Sequence, residues 1–171
     1  MKTIILILLL SPVLGFSQTS TVFIKLTDAK GQLIKGESVT KGFEGWISAT
    51  TFNSAGKNNT QVNFSITVSG ASADFRRAMA NGEFLTNGQV SVMGANSAYG
   101  GPATLYTVKL ERIAVLSCTD AMGCNNAMNT TVTLQATRIG WTYYGTGKTG
   151  AQTITKKFGW NSDTNSEWTS F

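Results

Sequence analysis

Two short motifs in this sequence have the residue types of serine enzymes that act on acyl groups. Ser38 and Lys41 have Ser-x-x-Lys spacing, and Lys148 opens a Lys-Thr-Gly triplet. In penicillin-recognising enzymes the serine attacks and the lysine lies nearby as a candidate base. That geometry needs a helix, but Gly36 and Gly42 flank the first motif and favour a turn. The third motif of those enzymes, Ser-Asp-Asn, is also missing. We therefore do not expect acyl transfer.

The sequence context of a phosphate-binding loop is also missing around Gly147, Lys148 and Thr149. Such a loop requires a glycine five residues before the Gly-Lys-Thr triplet and a helix after it. The earlier position is Thr142, and the residues that follow read as a strand. We predict a glycine-rich hairpin at this point.

Paired carboxylates could act as a general acid and base, as they do in glycosidases. The sequence offers Glu37 with Glu44, and Asp163 with Glu167, in loops rich in glycine or asparagine. Surface carboxylates are the usual outcome in such loops. The chain has no histidine, the commonest base and metal ligand. We predict no enzyme activity, no metal and no cofactor.

The two cysteines, Cys118 and Cys124, are close together in the sequence. In an exported protein such a pair is most simply a disulfide that pins a loop, contributing roughly 2 kcal/mol. The alternative, half of a zinc site, lacks a second cysteine pair and any histidine.

The first 17 residues have the pattern of a secretory signal peptide. Lys2 precedes an apolar run that ends before Pro12, and small residues stand at positions 15 and 17. The run is shorter than the roughly 20 residues that cross a bilayer. We expect export to the periplasm or beyond the cell, no stable membrane insertion, and a single domain over residues 18–171.

Composition favours a strand-rich domain without a nucleic-acid surface. Only 13% of the 171 residues are charged, and the net charge is +5. The basic residues are scattered along the chain, whereas a nucleic-acid surface needs a clustered stripe. We expect no nucleic-acid partner.

Hydrophobic periodicity predicts several strands and one helix. Apolar and polar residues alternate over residues 61–68, and an apolar face changes parity midway through residues 130–144, as a bent or bulged strand would do. Ser72 is the predicted start of the helix, and Gly82 its stop.

Aromatic residues leave two interpretations open. Three tryptophans and two tyrosines could form a platform on which sugar rings stack, or they could pack in the core, which their strand parity favours. These residues are Trp46, Trp141, Trp160, Tyr143 and Tyr144.

Residues 35–47, which contain Gly36, Glu37 and Ser38, resemble the opening signature of the Hcp family, the ring-forming tube proteins of type VI secretion. Residues 23–26, just before this signature, resemble the first strand of the family, and residues 105–113, 132–143 and 158–161 resemble later parts of its pattern, in the same order.

This resemblance implies a β-barrel of two antiparallel sheets with one short α-helix, assembled into homo-hexameric rings that stack into tubes holding small protein cargo. It places Gly36, Glu37 and Ser38 near a subunit contact. It assigns ring stacking to the loop after the second strand, which consists of Asn53, Ser54, Ala55, Gly56, Lys57, Asn58 and Asn59. The alternative hypothesis is a monomeric secreted binding module or adhesin on the same barrel, with carbohydrate as the candidate ligand.

Overall fold

A computed structural model describes residues 21–54, 60–96, 101–123, 126–146 and 151–171. These residues form nine β-strands and one α-helix. In chain order they are β1 (Thr21–Leu26), β2 (Ile47–Ala49), β3 (Thr51–Ser54), β4 (Gln61–Thr67), α1 (Gly70–Asn81), β5 (Phe84–Asn96), β6 (Gly101–Met122), β7 (Met128–Thr146), β8 (Gln152–Asn161) and β9 (Ser166–Glu167).

The strands form one antiparallel sheet. Its order is β2-β1-β5-β6-β7-β4-β3, and β8 branches from β7 and carries β9 at its far end. The prediction of a mainly β fold with one helix is confirmed. The prediction of a barrel made of two sheets is wrong in this detail, because the described strands belong to one sheet that does not close.

The two ends of the main path are joined by a single residue, Thr50. Ala49 of β2 pairs with Val22 of β1, whereas Thr51 of β3 pairs with Ser65 of β4. The Thr50 N–H donates to the Ser65 carbonyl at 2.8 Å. Strands β2 and β3 are therefore separate short strands on either side of Thr50, and the chain crosses between sheet ends where a hydrogen-bonded ladder would have closed a barrel.

Strand β7 changes partner at Thr137, which explains its change of apolar parity. Its first half pairs with β4 and its second half with β8, while β6 runs along its other side. The Thr60 carbonyl accepts from the Ala136 N–H at 3.1 Å, and the Ser162 N–H donates to Thr137 at 2.9 Å. The change of apolar parity, predicted as a bend or a bulge, therefore coincides with a change of partner within one sheet.

Helix α1 covers the apolar face of the sheet through Phe75, which is fully buried and contacts Phe64 edge-on at 5.8 Å. The helix begins after Ser69, three residues before the predicted cap at Ser72, and the two serines form a capping box. Gly82 ends the helix as predicted. The Ser72 side chain is buried against β7, where its hydroxyl contacts that of Thr130.

The last ten residues fold back over the outer face of β7 and β8. Trp168 is 6% exposed and its ring lies 4.9 Å from that of Phe171. Phe171 lies over the paired Gly140 and Gly159, where an added Cβ would come within 2.6 and 2.5 Å of its ring. These two glycines therefore provide the space in which the tail docks.

Candidate functional site: the loop over β1 and the open strand edges

Ser38 of the Ser-x-x-Lys motif lies in a loop, as the flanking glycines predicted. The residue is only 8% exposed, and its Oγ accepts a hydrogen bond from the Thr40 N–H at 3.3 Å. The serine hydroxyl therefore helps to form a turn. The Lys-Thr-Gly triplet and the predicted glycine-rich hairpin, residues 147–150, lie outside the described residues.

The candidate carboxylates are surface groups, as predicted. All four are exposed, and two have protein partners of their own. Glu44 Oε2 accepts from the Gly42 N–H at 2.9 Å, and Asp163 Oδ2 lies 3.3 Å from Arg112 Nη1. Each of these two carboxylates stabilises a loop or strand connection.

A polar network joins helix α1 to strands β6 and β7. Asp120 Oδ1 lies 2.6 Å from Arg76 Nη2 and accepts from Thr130 Oγ1 at 2.8 Å. The hydrogen bonds from Thr130 and Arg76 lower the pKa of the Asp120 carboxyl. Thr130 Oγ1 is also 2.8 Å from the Oγ of Ser72, and both of these hydroxyl residues are buried.

This chain of hydrogen-bonded groups resembles a proton relay, but its role is to hold helix α1 in place. Ser72 and Thr130 are 1% and 0% exposed, so a substrate in solution does not reach their hydroxyls. Buried polar groups that satisfy one another in this way fix the position of packed elements. We assign the network to holding α1 against the sheet.

Cys118 lies within strand β6, paired with Val132, rather than in the predicted loop. Its thiol is free in the structure, and Sγ is 3.9 Å from the carbonyl oxygen of Ser72. Partial burial raises the pKa of this thiol. Cys124 lies outside the described residues, so the disulfide stays a prediction.

The loop of residues 35–46, which we call the β1 loop, packs on the outer face of strand β1. The Phe43 ring stacks on Phe23 at 4.3 Å between ring centroids and meets Trp46 edge-on at 5.1 Å. Lys25 Nζ lies 5.8 Å from the centre of the Trp46 ring. The β1 loop is therefore fixed to the sheet by aromatic contacts.

This aromatic stack was not predicted from the sequence, although Phe23 carries a signal for it. Val22 and Ile24 point into the core, so Phe23 between them must point outwards. A large apolar side chain at an outward position is a sign that another segment covers it. Phe23 is 4% exposed because the β1 loop covers it.

Gly36, Glu37 and Ser38 have different surroundings within the β1 loop. A Cβ on Gly36 would lie 2.3 Å from the Trp46 carbonyl and 2.4 Å from Ile47, so the chain there is too close for any side chain. Ser38 donates its N–H to the same Trp46 carbonyl at 3.0 Å. Of the three, only Glu37 is exposed and has its side chain free for a subunit contact.

The predicted stacking segment is described only at its start. Asn53 and Ser54 are the last residues of β3, and Ser54 Oγ accepts a hydrogen bond from the Trp141 indole at 3.2 Å. Residues 55–59 lie outside the described residues. Asn53 is exposed, so its side chain is available for contacts beyond the chain.

The aromatic residues are distributed over core and surface and do not form one platform. Trp141 is 6% exposed and stacks on Phe158 at 5.8 Å, whereas Trp46 belongs to the β1 loop. Tyr143, 44% exposed, pairs with Tyr106 at 5.5 Å. The core interpretation holds for Trp141, and no observation favours the sugar-binding alternative.

Several strand edges are unpaired among the described residues, those of β8, β2 and β3 included. Strand β8 bonds to β7 on one side, and on the other side β9 covers only Trp160 and Asn161. Residues 152–158 are all exposed, including Ile154 at 57%. Strand β3, at the end of the main path, has its second edge open as well. Open edges bind further strands, so these are the candidate assembly surfaces.

Within the described part of the chain, no group of three or more cysteine, aspartate or glutamate side chains could hold a metal ion. In the same residues, no helix combines the length and the apolar character that a membrane crossing requires.

Comparisons with known proteins agree in sequence and in fold. The profile of a family described as type VI secretion system effector, Hcp, matches residues 23–143. The fold is similar to Hcp1 from Salmonella typhimurium, with a TM-score of 0.70 and 17% identity over 87% of this chain and 99% of that chain.

A structure titled as a type six secretion system protein gives a TM-score of 0.71 and 19% identity, covering 88% of this chain and 100% of that one. The secreted protein Hcp3 from Pseudomonas aeruginosa gives a TM-score of 0.62 and 21% identity, covering 81% of this chain and 98% of that one. No curated protein matches the chain.

Proposed function

Because the chain belongs to the Hcp family of type VI secretion effectors, we propose that it is a structural subunit that assembles into hexameric rings. Rings stack into a tube whose lumen holds small protein cargo. The subunit acts through its shape and its strand edges, and it carries out no reaction. It is exported, with residues 1–17 as its signal peptide, to the periplasm or beyond the cell.

The observation that carries this proposal is the open edge of β8. Its exposed residues 152–158 combine an unpaired backbone edge with the apolar side chain of Ile154. Such an edge is prone to pair with another strand unless it is protected. A second copy of the chain, through the open edge at β3, is the partner that we propose.

Pairing β8 of one copy with β3 of the next would be a head-to-tail contact, because the two strands differ in length and sequence. Head-to-tail contacts generate closed rings when the rotation between neighbours divides a full turn. An isologous contact would stop at a dimer. The two unlike edges therefore support a ring.

The remaining contacts are assigned as the family resemblance implies. Glu37, at the exposed corner of the Gly36-Glu37-Ser38 turn, contacts the neighbouring subunit, and residues 53–59 contact the next ring. A disulfide between Cys118 and Cys124 fixes the end of the β6–β7 hairpin in the exported protein.

The assembly is tested by the mass of the purified exported protein in size-exclusion chromatography with light scattering. We expect a mass of six subunits for the wild type and of one subunit for Ile154→Lys, because the lysine places a charge in the proposed apolar contact. The matched control is Leu116→Lys, an exposed β6 residue (48%) outside the edges of β8 and β3, which should remain hexameric.

A monomeric wild type at micromolar concentration would refute the ring. A hexameric wild type with a hexameric Ile154→Lys variant would refute the assignment of β8 to the contact. Circular dichroism of both variants separates loss of assembly from loss of folding.

A further inference from the structure

A groove on the outer face of strands β1, β5 and β6 has features of a binding site. It has a volume of about 360 Å³, and its walls include Lys25, Lys109, Gln89, Asn87, Thr27 and Thr86. Ligand pockets begin at about this size. Two of these residues, Gln89 and Lys109, also line a smaller cavity that reaches Ile154 of β8.

Strand register brings the two lysines to the same level of the sheet. Lys25 pairs with Gln89, and Gln89 pairs with Lys109, so the three residues stand side by side. Neighbouring strands are about 4.8 Å apart, which puts the lysine Cα atoms about 10 Å from each other. Two flexible lysine side chains at that spacing can converge on one ligand.

The alternation of β5 directs its polar side chains into the groove. Gly88 faces the core, where an added Cβ would lie 2.7 Å from Leu26 Cδ2 and 3.0 Å from Ile113 Cδ1. Asn87 and Gln89, on either side of it, therefore face outwards. Gln89 stands between the two lysines, and Asn87 lies two residues further along the same face, so both bring side-chain amides with N–H donors to the groove.

The lysines of the groove differ from the arginines of the protein in how their charge is used. Four ion pairs in the described residues engage all four arginines, namely Arg76, Arg77, Arg112 and Arg138. In the same part of the chain, no carboxylate lies within ion-pair distance of Lys25 or Lys109.

The acidic groups closest along the strands are already engaged. Glu111, two residues from Lys109 on β6, is 2.8 Å from Arg138 Nη1. Asp28 Oδ1 accepts the N–H groups of Lys30 and Gln32 at 2.9 and 2.8 Å. The positive charge of the groove is therefore not neutralised by the protein itself.

One wall of the groove is held in place by hydroxyl groups. Thr27 Oγ1 and Thr86 Oγ1 are 2.7 Å apart, and the latter also donates to the Asp28 carbonyl at 3.1 Å. The Thr27 hydroxyl accepts from the Asn87 N–H at 3.2 Å. These hydrogen bonds hold this wall, whereas Lys25, whose Nζ lies 5.8 Å from the Trp46 ring centre, and Lys109 have no carboxylate partner among the described residues.

The geometry points to a phosphate-binding site in this groove, with Lys25 and Lys109 neutralising a dianion and the amides of Gln89 and Asn87 donating to its oxygens. Two ammonium groups match the double charge of a phosphate monoester, whereas a single carboxylate would leave one of them uncompensated. The phosphate is either free in solution or the exposed headgroup of a lipid.

Inorganic phosphate titrated into the full-length protein, with sodium chloride at matched ionic strength as the blank, tests the site by calorimetry. We expect saturable binding at about millimolar phosphate, because an exposed site with two ammonium groups is weak. The double variant Lys25→Gln, Lys109→Gln should weaken binding by about a hundredfold, roughly tenfold for each charge lost. The control Lys41→Gln removes an exposed charge from the β1 loop and should bind as the wild type does.

Cosedimentation with phosphatidylcholine vesicles, with and without phosphatidic acid, identifies the source of the phosphate. Binding only to vesicles that contain phosphatidic acid, lost in the double variant, assigns a lipid headgroup. Phosphate binding without vesicle binding assigns a free phosphate. The proposal is overturned if phosphate does not saturate, or if the double variant and the control bind it equally well. Neither result bears on the mass of the assembly.

Discussion

The docking of Phe171 on Gly140 gives a quantitative test of how the tail is held. Replacing Gly140 with alanine would put a Cβ within 2.6 to 2.7 Å of three carbon atoms of the Phe171 ring. These ring atoms are its nearest neighbours, so the ring must move away. The question is how much stability is lost when it does.

The loss can be summed from the contacts of the ring. Phe171 is half-buried, which corresponds to about 1 kcal/mol. Its contact with Trp168 at 4.9 Å is worth about 1 kcal/mol. Lys157 Nζ lies 4.3 Å from the ring centre, and such a cation–π contact is worth about 0.5 to 1 kcal/mol. We expect Gly140→Ala to lower the free energy of unfolding by about 2 to 3 kcal/mol.

A double-mutant cycle isolates the cause. Phe171→Ala alone should cost a similar amount, but Gly140→Ala made in that background should be neutral or slightly stabilising, because alanine is favoured over glycine in a strand. Urea unfolding followed by tryptophan fluorescence measures all four free energies. If the two losses of unfolding free energy were additive, or if Gly140→Ala were neutral in the wild-type background, the packing of Phe171 on Gly140 would be refuted.

Three further predictions concern the β1 loop, the helix clamp and the cysteines. Gly36→Ala should lower the free energy of unfolding by more than about 2 kcal/mol because its Cβ has no room, whereas Gly70→Ala, with nothing within 4 Å, should be neutral or stabilising in the same urea assay. The pKa of the Asp120 carboxyl is lowered, so its contribution to stability is present above the unfolded pKa near 3.8 and is lost as the pH falls through the folded value. In the Asp120→Asn variant, the free energy of unfolding should therefore fall less steeply in acid than in the wild type. Equal slopes for the two proteins would contradict this. In unreduced exported protein, alkylation and mass spectrometry should label neither Cys118 nor Cys124, and labelling of both would exclude the disulfide.

Sequence periodicity was sufficient where burial on one face decided the outcome. The alternation over β4 gave a strand whose bounds differ by one residue from those predicted, because Val62, Phe64 and Ile66 all face the core. The change of apolar face along β7 could also be predicted from the sequence. Both signals are local, and burial of one face is enough to produce them.

Long-range pairing set the features that could not be predicted. Ser69 and Ser72 are equally good caps by type, and Ser72 instead lies inside α1 with its side chain against Thr130, 58 residues away. Strand β6 continues past Cys118 because residues 128–133 pair with it. The lysines of the groove looked scattered because 84 positions separate Lys25 from Lys109, and β5 brings them together.

The position of β7 in the chain governs when this fold can form. Strand β4 ends at Thr67 and pairs early only with the short β3, whereas its longer partner starts at Met128, so β4 gains its second ladder only after β7 has been made. Contacts between segments so far apart form slowly, since the intervening chain must first be ordered. A polypeptide emerging from its amino-terminal end therefore completes its core only when nearly all of it has been synthesised.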